Sequence, residues 1–283
     1  MLTETRNTKF LEDIKMKKIL ALILALTMVF ALCACGAKEE APAAAPADSP
    51  ELVYAVEAGS AGEAVALENG WEVVSVDTQS KALMEVASGT SDAAIIDLLM
   101  AGAMIGEGTS YPDMKLGDKL TTEEYGAGCR KGSDLAQYIN NVFAECYASG
   151  EMQEIAKLYG VQESLVEPPA AVDFEPAADG DVAKIQAAGK LVVGITDFAP
   201  MDYKNDAGEW IGFDADMAKI VAEKLGVEVE FIEIDWSNKI LELDSGSIDV
   251  VWNGMTLTNE VMNAMECTVP YCNNAQVVVV AAE

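Results

Sequence analysis

Two short stretches of this chain share one pattern of polar and apolar positions. Residues 88–97 read SGTSDAAIID, and residues 245–254 read SGSIDVVWNG. Each follows a run, SKALMEVA or SNKILELD, whose apolar residues recur at helical spacing. Each continues with Ser-Gly, an aspartate three residues after the glycine, and an apolar run that stops at a polar residue or glycine. The pattern predicts a helix closed by glycine and then a buried strand, once in each half of the chain. Asp92 and Asp249 read as turn and capping residues of these two units.

The neighbouring segments extend the alternation. LVYAVEAG (52–59) predicts a strand, and SAGEAVALENG a helix with Ser60 as its N-cap and Glu63 at capping-box spacing. WEVVSV predicts a strand, TQSKALMEVASG a helix and DAAIID a strand covered on both faces. The order restarts with strands KLVVGIT, VEVEFIEI and IDVVWNG, separated by helices FDADMAKIVAEKLG and SNKILELDSG, and AQVVVVAA closes the chain as a strand. Asp214 and Asp216 sit where acids favour the start of a helix. Between the halves, LAQYINNVFAECYASG and EMQEIAKLYG read as helices. Strands alternating with helices of about ten residues predict βαβ units and parallel sheets, so the fold class is α/β in two lobes. Ligands of such sheets sit at the carboxyl ends of strands. Those ends are Asp97 in one half and Asn253-Gly254 in the other, and two facing lobes make a cleft.

Two stretches are too rich in alanine and proline to pack a core: AKEEAPAAAPADSP (37–50) and VEPPAAVDFEPAADGD (166–181). The chain as a whole is 51% hydrophobic and 23% charged, the composition of a folded protein. Lys and Arg total 18 against 47 Asp and Glu, a formal net charge of −29, which disfavours nucleic acid and anionic lipid as partners. Histidine is absent, which removes Ser-His-Asp and Cys-His catalysis and HExxH zinc sites. The sequence implies no catalytic residue, metal or cofactor.

From Met16, MKKILALILALTMVFALCACG places two lysines ahead of an apolar run and a small-residue zone, the anatomy of a secretory signal. Translation can start at Met1 or Met16. The segment also reads as a membrane anchor, although it is short for a span of ~20 residues. Leu32-Cys33-Ala34-Cys35 resembles the bacterial lipobox, which implies that Cys35 carries lipid and begins the mature chain. For Cys129, Cys146, Cys267 and Cys272, an exported setting permits disulfides, and the spacing leaves pairing and free thiols both open.

Several longer motifs resemble the extracytoplasmic solute-binding proteins for polar amino acids, family 3, which feed ABC importers. The run from KLVVGITDFAP through GFDADMAKIVAEKLG and WNGMTLTNE to AQVVVV looks like the family's first lobe. VEAGSAGE, SGTSDAAIID and EEYGAGCRKGSDLAQYINNVFAECYASGEMQEIAKLYG look like the part that normally follows. Here that part comes first, so the chain resembles a circular permutant; a rearranged gene gives the same order. The implied divisions are 1–35 signal peptide with lipobox and 36–50 flexible linker. A second-lobe-like domain (51–124) follows, then a crossover strand and helices packing on the first lobe (125–165). Residues 166–184 join the old termini, and 185–283 form the first-lobe-like domain. Permutation predicts that Glu51 and Glu283 lie near each other.

The resemblance implies a two-lobed, type II periplasmic-binding-protein-like fold and a ligand site carried over position by position. Phe198 and Trp236 match its aromatic walls. Asn253, Gly254 and Thr256 match the first-lobe strand end, and Ser60 the second-lobe helix start, where N–H groups favour a carboxylate. Asp97 matches the acid that pairs with an α-ammonium, and Asp197 is placed to face the cleft. The solute the resemblance implies first is an amino acid, but Val261 stands where the family has an arginine that clamps the α-carboxylate. Either the remaining N–H and hydroxyl donors suffice, or the ligand is an amine or another small polar metabolite, which suits the acidic cleft better. The implied protein is a non-enzymatic, monomeric lipoprotein, anchored outside the cell membrane, that delivers a small polar solute to an ABC permease. A dehydratase-like enzyme of the same fold and a sensor lipoprotein are the alternatives.

Overall fold

The computed structural model describes residues 52–282; the expectations for the signal, for Cys35 and for Glu51 and Glu283 lie outside them. The chain first forms β1 (Val53–Glu57), α1 (Ala61–Glu68), β2 (Glu72–Val76), α2 (Gln79–Ser88), β3 (Ala93–Asp97), α3 (Leu98–Met104) and β4 (Met114–Lys119). A crossover carries β5 (Glu123–Tyr125) and β6 (Gly128–Cys129) into the other half, where α4 (Leu135–Ser149) and α5 (Glu151–Leu158) follow. Next come α6 (Asp181–Ala188), β7 (Lys190–Ile195), the hairpin β8 (Tyr203–Lys204) and β9 (Trp210–Ile211), and α7 (Phe213–Leu225). Then β10 (Glu228–Glu233), α8 (Lys239–Ser245), β11 (Val250–Val251), α9 (Asn259–Ala264) and β12 (Glu266–Cys267) complete this half. The chain returns through β13 (Cys272–Asn274) and β14 (Gln276–Ala281).

Each lobe is built on one five-stranded sheet, in the orders β2-β1-β3-β14-β4 and β10-β7-β11-β6-β12. The first three strands of each order are parallel. The fourth is antiparallel and arrives from the other half of the chain: β14 pairs with β3, and β6 with β11. The two crossovers lie side by side, with β5 antiparallel to β13. This two-lobed, doubly crossed α/β architecture is the type II periplasmic-binding-protein-like fold expected from the resemblance.

The repeated Ser-Gly-x-x-Asp motif does the same job twice. Gly89 and Gly246 close α2 and α8 at φ values of 73° and 78°, left-handed conformations that glycine adopts without a Cβ penalty. The Asp92 N–H then donates to the Val53 carbonyl while its carboxylate accepts from the Val53 N–H. Asp249 makes the same pair with Val192. Each aspartate thus pins the start of its lobe's central parallel strands, the turn role read from the sequence.

A single aromatic nucleus supports the lobe of β7. Phe143 of α4 meets Trp252 and Tyr271 edge-on, with centroids 5.4 and 5.5 Å apart. Helices α4 and α5 therefore belong physically to this lobe, although the proline-rich stretch after residue 165 separates them from β7 in sequence. Arg130, just after β6, ties the crossover down by pairing with Asp181 and Asp249 at 3.1 and 3.2 Å.

Several elements escaped the sequence pattern. α3 (LLMAGAM) is apolar without a polar face, and β4 buries only Met114, so neither shows a clear period. The strand expected over IDVVWNG narrows to Val250–Val251, because Asn253 leaves the ladder to bond Thr196. The proline-rich stretch after residue 165 is pinned to α4, where the Asn141 amide both donates to and accepts from the Val172 backbone, and it runs into α6 at Asp181. Cys129, Cys146, Cys267 and Cys272 are free thiols. No helix among the described residues is long and apolar enough to cross a membrane.

Candidate functional site

The strand ends and crossovers enclose a cleft of about 1,100 Å³ between the lobes. Ser60, Asp97, Trp236, Asn253, Gly254 and Thr256 all line it. Phe198 and Asp197 do not. Phe198 is buried beneath Gly254, packed edge-on against Tyr125 with centroids 6.4 Å apart, and a Cβ on Gly254 would collide with its ring. Asp197 is exposed outside the cleft lining.

The cleft residues are held by their elements. Ser60 caps α1 by accepting from the Glu63 N–H at 3.0 Å, while Glu63 takes the Gly59 N–H at 2.7 Å. This is a capping box shifted by one residue, since the Ser60 N–H is already given to the Glu57 carbonyl. Asn253 is used structurally, exchanging two hydrogen bonds with Thr196. Gly254 presents its N–H to the buried Asp214 carboxylate rather than to the cleft.

Asp97 ends β3 and precedes α3, yet its side chain does not cap that helix. It accepts instead from Gln79, from the Tyr125 hydroxyl at 2.7 Å, from Asn274, and from Gln276 at 3.1 Å. Glu123 on the adjoining crossover accepts from Thr256 at 3.0 Å and from Asn274 and Gln276. The network thus joins both lobes and both crossovers at the cleft floor. Burial, and then the Glu123 charge, push the Asp97 carboxyl up to about 7.

Lys239, absent from the sequence-based expectation, crosses the cleft. Its ammonium donates to the Gly59 carbonyl of the opposite lobe at 2.8 Å and to its own lobe's Trp236 carbonyl at 3.2 Å, and lies 4.9 Å from the Trp236 ring centroid. Burial lowers its pKa, against nearby carboxylates led by Glu260 and Glu57. Glu57 was missed as well, because one acid at the end of an apolar strand carries no distinctive spacing. It lines the cleft while 4% exposed, and burial followed by the Asp97 charge raises its pKa to about 8. Val261 is buried in α9, and among the described residues no arginine lines the cleft.

Two α/β lobes joined by paired crossovers thus enclose a polar cleft, the kind of concave site at which small molecules bind. Among known families, residues 191–283 match the model of the bacterial extracellular solute-binding proteins, family 3. The chain is 32% identical over 96 residues to the L-cystine-binding protein TcyJ of Escherichia coli (strain K12), covering 34% of this chain and 36% of that protein. It is 35% identical over 94 residues to the arginine-binding extracellular protein ArtP of Bacillus subtilis (strain 168), covering 32% and 36%. Cyclohexadienyl dehydratase of Pseudomonas aeruginosa is 27% identical over 101 residues, covering 35% and 38%. The chain therefore matches little more than a third of the length of these relatives.

Proposed function

We propose that this protein captures a small polar solute between its lobes outside the cell membrane and presents it to an ABC importer permease. The observation that carries the reading is the cleft itself, polar at both strand ends and spanned, among the described residues, by two adjacent crossovers. Such a pair of connections lets the lobes open and shut about one line. The family of residues 191–283 supports the extracytoplasmic setting. A lipid on Cys35 and the stretch 36–50 would supply the tether.

The permuted order is part of this proposal and finds support in the sheet register. Tyr54 of β1 and Val280 of β14 both pair with Ala93 of β3, so the chain enters and leaves the same end of one sheet. They stand two strand spacings apart, about 10 Å. Domain boundaries at 51–124, 125–165, 166–184 and 185–283 follow from the same reading.

The test is a thermal-shift panel of standard amino acids, amines and dipeptides on the protein from Cys35 onward, with small-angle scattering on any hit. A ligand at 100 times its Kd stabilises the fold by about 2.7 kcal/mol. A shift accompanied by a smaller radius of gyration supports capture by closure; the same melt with every solute counts against it. One observation favours a dehydratase-like second reading: Glu57 and Asp97 line the cleft with pKa values of about 8 and about 7, near those of effective general acids. Loss of water from a bound hydroxyl acid, followed by mass spectrometry, tests it.

A further inference from the structure

The cleft's own donors and acceptors are unequally free. Seven acidic side chains and two lysines line it. Both lysines are committed to the protein: Lys131 donates to the Met262 and Met265 carbonyls at 3.0 and 2.9 Å, and Lys239 to the Gly59 and Trp236 carbonyls. Among the described residues no guanidinium reaches the cleft, and α9, with Val261 buried, offers no cation along its length. A carboxylate arriving here meets no uncommitted positive charge among the described residues.

The acids differ in the opposite sense. Asp97 and Glu123 have their oxygens filled by the amides and hydroxyls of the cleft floor. Glu57 does not. Its Oε1 is buried and, among the described residues, has no hydrogen-bond partner, although the residue is only 4% exposed and lines the cleft. A buried carboxylate oxygen without a donor is costly, and a ligand that brings N–H groups removes the cost.

We propose that the cleft selects an organic amine without an α-carboxylate, with Glu57 as the group that receives its ammonium or guanidinium. This rests on the solute-binding reading above and narrows its substrate class. The Trp236 ring already carries the Lys239 ammonium, 4.9 Å from its centroid, so Glu57 is the group left open to a ligand cation. Glu57 is a binding residue here, and Gln79, which donates to the Asp97 carboxylate and accepts from the Asp97 N–H, lies beside Glu57 and lowers its pKa.

The discriminating experiment is titration calorimetry with two matched pairs, agmatine against arginine and cadaverine against lysine. Each pair differs in the α-carboxylate alone. The expected result is at least tenfold tighter binding of the amine in at least one pair, with that advantage lost in Glu57→Gln. Should the variant not melt cooperatively, the native protein still reports. Glu57 faces Asp97 and Asp235 as well as the Lys239 ammonium, so amine affinity should rise between pH 6 and 9 as Asp97 and then Glu57 ionise. The upper part of the rise should be lost in Glu57→Gln, with proton release seen by repeating the titration in buffers of different ionisation enthalpy. Tighter binding of arginine or lysine overturns the amine class and leaves the solute-binding function standing. An amine affinity unchanged both in Glu57→Gln and across that pH range removes Glu57 from the site. No heat from any of the four overturns the inference, and a flat thermal-shift panel beside it would remove the solute-binding function too.

Discussion

The Lys239 ammonium of one lobe is bonded to the Gly59 carbonyl of the other at 2.8 Å, across the mouth of the cleft. It is a latch made by the protein rather than by a ligand. Hydrogen bonds to a charged group contribute about 1.5–3 kcal/mol. Lys239→Met keeps the stem and removes the bond, so the closed arrangement should lose roughly that much. Small-angle scattering without ligand is expected to show a larger radius of gyration than the native protein, while the melting transition stays cooperative. An unchanged radius would mean that the bond does not hold the lobes together.

Gly59 supports the same contact sterically. Its φ is +73°, and an added Cβ would lie 2.8 Å from the Ser237 Cα of the opposite lobe. Gly59→Ala therefore meets backbone, which cannot yield as a flexible side chain can. The expected outcome is a cleft held open and weaker solute affinity, plus about 1–2 kcal/mol of left-handed backbone strain. Calorimetry and scattering on one preparation separate the two effects.

The paired aspartates allow an internal comparison. Asp92→Ala removes one carboxylate–amide bond, to Val53, at an exposed position. Asp249→Ala removes the equivalent bond to Val192 and also strips Arg130 of a partner. We expect about 1 kcal/mol for the first and about 2–3 kcal/mol for the second by urea unfolding. Equal losses would show that the Arg130 pair contributes nothing.

Stability should depend on pH in an unusual direction. Burial raises Glu57 to about 8 and Asp97 to about 7, and it pushes Asp202 and Asp214, which face each other beneath Gly254, upward as well. Lys219 is the cation nearest Asp202, and Asp216 adds a further negative charge there. A carboxyl raised in the folded state keeps its proton where the unfolded chain has lost it. Folding is then penalised progressively from about pH 4 up to the folded pKa. Asp181, held low by Ser133, Lys184 and Arg130 despite partial burial, loses its contribution as pH falls through its folded value. The urea midpoint should therefore be highest near pH 5 and fall toward pH 8. Both Asp202 oxygens are buried and, among the described residues, have no partner, so Asp202→Asn should raise stability at pH 8 by roughly 1–2 kcal/mol and flatten the profile. A midpoint that climbs from pH 5 to 8 would contradict this account.

The sequence by itself determined the local units: helices closed by Gly89 and Gly246, the Ser60 cap, the alternation of strand and helix, and the turn role of Asp92 and Asp249. Each rests on residues within a few positions of one another, or on a period, and such interactions are written directly in a pattern. The strand ends at Asp97 and Asn253-Gly254 followed, and with them most of the cleft lining. Tertiary structure decided the rest. It inserted β14 and β6 into the opposite sheets, buried Phe198 under Gly254, and brought Lys239 to Gly59 from 180 residues away. It also surrounded Asp97 with four donors and left the Glu57 Oε1 with none. Whether a buried carboxylate is satisfied depends on side chains brought by other elements, and no period or spacing records which of them will arrive.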